Sequence, residues 1–184
     1  MSSALRLTPD EYDRMIANGA FVGIERKIEL IRGELREMGP ADPIHEDYID
    51  FLNRWSTQAT TAEDCVVRVQ NSIDLDDSRP EPDVTWLKPG RYAARRPRAD
   101  DVLLLIEVAN SSLPTDLQGK AELYAEFGVA EHWVVDVKGE CIHVFSDADD
   151  CEFQSRRIIP KSESLSPQCK LTAVLKLSEH FLAQ

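Results

Sequence analysis

The chain has 184 residues, 42% hydrophobic and 29% charged, an ordinary composition for a soluble globular protein and a length that fits one domain over residues 1–184. Its formal net charge of -12 argues against a broad nucleic-acid-binding face, because affinity for phosphates is mostly electrostatic. The apolar runs are far shorter than a membrane span, and Met1 to Arg6 has no signal-peptide core, so a cytoplasmic protein without a membrane partner is expected.

Thr8-Pro9-Asp10-Glu11 predicts a helix start, with Thr8 as N-cap, proline in the first turn and Glu11 closing a capping box; Asn18-Gly19 ends the helix after Ala17. Lys27 to Ile31 and Glu34 to Met38 flank Arg32-Gly33, the two-residue spacing of a hairpin, with Ile28 and Leu30 on one face and Lys27, Glu29 and Ile31 on the other. Pro43 to Thr57 reads as a helix with Ile44, Tyr48, Phe51, Leu52 and Trp55 on its apolar stripe. Strands follow at Cys65–Val69, more weakly at Ile73–Leu75, and at Pro82–Trp86 after the turn at Asp76–Pro80.

Arg91 to Arg98 carries four arginines and a tyrosine, either a solvated loop or an arm for phosphates; composition favours the loop. Val102 to Val108 is continuous rather than alternating, which predicts a central strand covered on both faces. Thr115 is expected to cap a helix running to Phe127, with Gly128 as its stop. A second hairpin is expected from Glu131–Val137 and Glu140–Phe145, then a strand at Phe153–Ile159 and a short closing helix at Ser178–Leu182. This mixture points to an α/β domain around a mixed sheet flanked by helices. Cys65, Cys141, Cys151 and Cys169 are scattered without a Cys-x-x-Cys pair or a histidine at zinc spacing, so reduced thiols and no soft-metal site are expected.

Glu107 is the charge that needs explaining, since a carboxylate on a buried strand requires a compensating cation or donor. Asp83 lies near the end of a strand that could neighbour it, and two such carboxylates are what magnesium takes from a protein, with water and phosphate completing its shell. Asp83 could equally cap a turn, and Glu107 could pair with a buried Arg or Lys. Lys120 shares a helical stripe with Leu117, Ala121 and Tyr124, so it could face the sheet and reach Glu107; an i,i+4 salt bridge with Asp116 is the plainer alternative. Glu29 and Glu34 flank the hairpin turn, with Glu29 the better candidate. His45, at a helix start, could contact phosphate or act as a base, whereas His132 and His143 look structural.

The order of Glu29–Glu34, His45, Val69–Ile73, Pro80–Val84, Ile106–Val108, Ser111-Ser112, Asp116, Lys120, Tyr124 and Gly128–Asp136 resembles the PD-(D/E)XK nuclease superfamily and, within it, the Uma-two family of restriction-endonuclease-like proteins. The resemblance implies a restriction-endonuclease-like core with extra hairpins and a magnesium- or manganese-dependent nuclease acting on DNA, often as a homodimer. It implies Asp83 and Glu107 as the two acidic ligands with the Val108 carbonyl, and Glu29 as a further metal or water contact. The superfamily lysine two residues beyond the second acid falls at Ala109; the family's lysine is displaced to the next helix, here Lys120. His45, Gln70 and Ser112 match positions near the cleft, and Asp116 would orient Lys120. A nuclease-like fold kept as an interaction or regulatory module is the competing implication.

Overall fold

The computed structural model describes residues 5–24, 26–39 and 42–181. In chain order it contains α1 (Pro9–Ala17), β1 (Ile28–Ile31), β2 (Glu34–Glu37), α2 (Pro43–Ala59), β3 (Val66–Val69), β4 (Val84–Leu87) and β5 (Val102–Ala109). Then come α3 (Leu113–Thr115), a π-helical turn (Asp116–Lys120) and α4 (Ala121–Glu126), which follow one another without a break. The rest is β6 (Glu131–Asp136), β7 (Cys141–Asp149), β8 (Glu152–Pro160), β9 (Ser164–Leu165), β10 (Leu175–Lys176) and α5 (Leu177–His180).

Six strands form one sheet in the order β3-β4-β5-β6-β7-β8. Its neighbours are antiparallel except β5 and β6, which run parallel, with the α3–α4 segment as their crossover. The expected mixed α/β sheet flanked by helices is therefore the architecture. As its unbroken apolar run predicts, β5 is covered on both sides. Leu104, Ile106 and Val108 join Leu52, Trp86 and Trp133 in one core beneath α2. Val102 and Leu105 pack with Leu123, Tyr124 and Val129 on the α4 side. Each such fully buried aliphatic side chain contributes about 1.5–3 kcal/mol. Glu107 falls on the α4 side by alternation.

Thr8 and Glu11 form the expected reciprocal cap of α1. Arg32 and Gly33 have φ of 53° and 75°, the two left-handed residues that a two-residue hairpin turn requires, and β1 and β2 form a separate small sheet. Among described residues, no helix is long and apolar enough to cross a membrane.

Several boundaries differ from expectation. Ile73–Leu75 is not a strand: Asp74 and Leu75 make only isolated bridges to Arg98 and Ser78, because the chain turns back on itself at once. Strand β4 begins at Val84, two residues late, since Pro82 has no N–H for a ladder. Thr115 lies inside a helix that starts at Leu113 after Ser112, with Pro114 tolerated in the first turn. Ile44 is 49% exposed and off the buried stripe of α2. The last helix, α5, starts one residue early and ends at His180; Leu182, like residues 1–4, lies outside the described residues. The closing segment also forms an unanticipated ribbon of β9 and β10.

Candidate active site

The register of β4 and β5 sets Val84 opposite Ile106, so the next pair outward is Asp83 and Glu107, whose side chains leave the sheet on one face. Both are buried. The helical crossover then supplies their counterpart. Lys120 and Asp116 are buried, although they sit in a π-helical turn rather than the regular helix expected; such turns are rare and occur frequently at functional sites. One turn further on, Tyr124 is fully buried against the same strand. The hairpin strand β1 adds Glu29, also fully buried, although periodicity placed it opposite the core residue Leu30. The hairpin is covered on both faces at this point, Leu30 being bridged to Arg79 while Glu29 meets the Glu81 backbone.

Lys120 Nζ donates to Glu107 Oε1 at 3.0 Å and lies 3.9 Å from Glu29 Oε2 and 4.0 Å from Asp116 Oδ1. Tyr124 Oη donates to the same Glu107 Oε1 at 2.7 Å. Asp83 Oδ2 accepts from the Val108 backbone N–H at 2.9 Å and lies 3.3 Å from His45 Nε2. Gln70 Nε2 reaches Asp83 Oδ1 at 3.4 Å, a long contact. The Glu81 backbone N–H donates to Glu29 Oε1 at 2.9 Å, while Glu29 Oε2 is buried with no hydrogen-bond partner. Ser112 Oγ donates to Asp116 Oδ2. The helix start that carries His45 is fixed by Asp42, which accepts from the His45 N–H at 2.9 Å and from Asn110 Nδ2 at 2.6 Å.

Four carboxylates thus crowd around one ammonium. Burial pushes the Glu107 carboxyl up to about 8; Lys120 opposes this, while Asp83, Asp116 and Glu29 add to it. Burial also raises Asp116, only partly offset by Lys120 and Ser112. For Lys120 burial works against the charge, but Glu107, Glu29, Asp116 and Asp83 together overcome it and raise the pKa. The Glu107 and Lys120 shifts pull on one contact, since a protonated Glu107 would no longer attract the ammonium. The charge on Lys120 is the firmer of the two, because three other carboxylates also face it. Asp83 is lowered despite burial, because of the hydrogen bond and charge of His45 and the Val108 N–H. His45 is raised in turn, chiefly by its contact with Asp83.

His45, Asp83, Glu107, Asp116 and Lys120 line a cleft of about 500 Å³, whose wall also includes Arg26, Lys27, Gln70, Val108 and Ser112, with Glu29 and Tyr124 behind it. All of the expected site residues (Glu29, His45, Gln70, Asp83, Glu107, Val108, Ser112, Asp116 and Lys120) therefore meet at or directly behind one cleft. Lys120 meets Asp116 as the plainer alternative held, and Glu107 as well. The donor set suits a hard divalent cation: a buried carboxylate oxygen without a donor, and an acid pair facing a cleft with negative charge in excess. Periodicity did not assign a role to Tyr124, nor to Asp42 and Glu81, whose contacts span 68 and 52 residues; Arg26 and Lys27 were likewise missed. Glu34 is a turn residue paired to exposed Arg36. In the arginine loop, Arg95 pairs with Asp101, Arg96 with Asp13, and Arg98 lies near Asp74.

A family model described as "Putative restriction endonuclease" (Uma2) matches residues 9–177. Among solved structures, one titled as a putative nuclease belonging to DUF820 from Anabaena variabilis is similar at a TM-score of 0.78 and 13% identity, covering 95% of this chain and 97% of that one. That likeness is one of fold. No curated protein matches.

Proposed function

We propose that this chain, which belongs to the Uma2 family described as "Putative restriction endonuclease", hydrolyses phosphodiester bonds of DNA with a magnesium or manganese ion held by Asp83, Glu107 and the Val108 carbonyl. The observation that carries this is the buried excess of carboxylate around one ammonium, with Glu29 Oε2 left without a donor. A bound divalent ion supplies an acidified water and neutralises charge building on the phosphate.

The protein's own groups do the positioning. The His45 ring and the Val108 N–H hold Asp83 ionised and in one orientation. Tyr124 and Lys120 both grip Glu107 Oε1, which leaves Oε2 for the cleft. Lys120 keeps its proton, orients the attacking water and stabilises negative charge as it develops on the phosphate. Asp116, itself held by Ser112, steadies Lys120 from behind. At the mouth, Arg26 and Lys27 are the cations able to meet substrate phosphates, although Glu37 and Glu81 now share them.

The competing reading is a nuclease-like fold that serves as an interaction module, favoured by Ala109 in place of the superfamily lysine and by the net charge of -12. Plasmid cleavage in magnesium or manganese separates the two. The native chain is expected to nick or cut and Asp83→Asn to do neither, and calorimetry is expected to show manganese binding that Asp83→Asn loses. Equal manganese binding by both proteins, without cleavage, would leave the interaction reading. Single-stranded DNA and RNA run in parallel test the substrate. A homodimer, which would present two clefts to two strands, is tested by sedimentation.

A further inference from the structure

We propose that Asp136, Cys141 and His143 form a second cation site, on the β6–β7 hairpin, which takes a borderline transition metal of the zinc class. The proposal is independent of the chemistry assigned to the carboxylate cleft. The expectation of no soft-metal site rested on linear spacing, whereas Asp136 joins Cys141 and His143 through the register of the hairpin.

Register creates the cluster. Asp136 lies directly opposite Cys141, and His143 is two residues further along the same strand, so all three side chains share one face. Cys141 Sγ is 3.8 Å from His143 Nε2, and Asp136 Oδ2 is 3.9 Å from the same nitrogen. One ligand atom from each residue falls within 4.8 Å of the other two. Zinc bonded to sulfur and nitrogen at tetrahedral angles sets those atoms roughly 3.5 Å apart, so closing on an ion needs only a small contraction.

A second observation concerns how the carboxylate is held. The Gly139 N–H donates to Asp136 Oδ1 at 2.8 Å, leaving Oδ2 turned toward the imidazole. A Cβ at position 139 would lie 2.3 Å from Asp136 Oδ2, so any side chain there would displace the carboxylate from this pose. Gly139 is not among the residues with a left-handed backbone, so it is the pose of the Asp136 carboxylate, and not the turn's dihedrals, that a side chain there would disturb.

The donor types decide the class of ion. Thiolate, imidazole and carboxylate together suit zinc, whereas magnesium prefers oxygen throughout. Binding releases the Cys141 proton to solvent and leaves the fourth position to water. Metal on Nε2 places the imidazole proton on Nδ1, where Arg156 now makes a long 3.5 Å contact. Arg156 gives up that contact and keeps its place over the Phe145 ring, 5.1 Å from the centroid. Beside the site, the Val137 N–H donates to the Ala109 carbonyl at 3.1 Å, which ties this end of the hairpin to the strand that carries Glu107.

The test titrates the reduced full chain with cobalt(II) as a spectroscopic stand-in, in excess magnesium so that the cleft is not the reporter. One equivalent is expected to produce a thiolate-to-cobalt charge-transfer band that zinc displaces. Cys141→Ser is expected to abolish the band and weaken zinc binding by more than about 100-fold, beyond what loss of an outer partner costs. His143→Gln and Gly139→Ala weaken it in the same direction, and Asp83→Asn leaves it unchanged. Should Cys141→Ser fail to fold, Gly139→Ala decides, because it keeps every ligand and moves only the carboxylate. Absence of the band, its survival in Cys141→Ser through another thiol, full retention in Gly139→Ala, or binding only at millimolar metal (an adventitious ion) overturns the proposal.

Discussion

Replacing Lys120 by methionine keeps most of the side-chain volume and removes the ammonium. The structure sets the size of the effect. Nζ is buried, 3.0 Å from Glu107 Oε1 and within 4.0 Å of Glu29 and Asp116. Breaking a buried pair by removing one partner costs about 3–5 kcal/mol, which for a chain of this length lowers Tm by roughly 6–20 °C. The stranded carboxylates should then take up protons more readily than before, so the deficit should shrink as pH is lowered from 8 to 5. A divalent cation should restore part of it. Urea denaturation of both proteins at pH 5 and pH 8, with and without manganese, measures all three effects. A variant whose stability matches the native chain within about 1 kcal/mol at pH 8 would show that Lys120 does not neutralise this cluster, and the mechanism built on it would fail.

Other outcomes follow from the same geometry. Lys120→Met should also reduce cleavage by about 10²–10³-fold, the cost of losing one preorganised charge stabiliser, read as single-turnover rates. Because burial holds Glu107 near 8, its carboxyl must lose a proton when a cation binds; manganese affinity should therefore rise as pH passes from 7 to 9, and a flat profile by calorimetry refutes this. Tyr124→Phe deletes one donor to Glu107 and should destabilise by about 1–2 kcal/mol, with a fall in kcat larger than any change in KM. His132 is buried with neither ring nitrogen partnered, and burial pushes it down to about 3. Between that value and the ordinary 6.5 the unfolded chain binds the extra proton, so stability should fall by about 1.4 kcal/mol per pH unit as pH drops through this window. His132→Phe should flatten that slope in denaturation curves from pH 7 to pH 4.

How far the sequence discloses the site depends on the range over which each contact acts. Glu107 stood out because it is a charge in an unbroken apolar strand, and Lys120 because it lies on an apolar helical stripe. Both signals are local. Placing Asp83 opposite Glu107 needed only that two neighbouring strands pair, which the register bears out. The π-helical turn was not legible, since apolar periodicity along Asp116-Leu117-Gln118-Gly119-Lys120 does not distinguish it from a regular helix. The donors to Glu29 and Asp42 were equally hidden, being backbone or amide groups more than fifty residues away. Arginine composition could not reveal that Arg96 is held by Asp13, 83 residues earlier. Cys141 and His143 looked unrelated to any ligand set because the missing member, Asp136, is supplied by hairpin register rather than by linear spacing.

The small β1–β2 sheet is joined to the rest of the chain near the cleft through a short seam: Arg79 N–H on the Leu30 carbonyl, Arg32 N–H on Ser78 Oγ, Gly33 N–H on the Asp77 carbonyl and Glu81 N–H on Glu29. Glu29 therefore belongs to a unit outside the six-stranded sheet, so the negative charge it lends to the cluster depends on the backbone of residues 77–81 as much as on its own side chain.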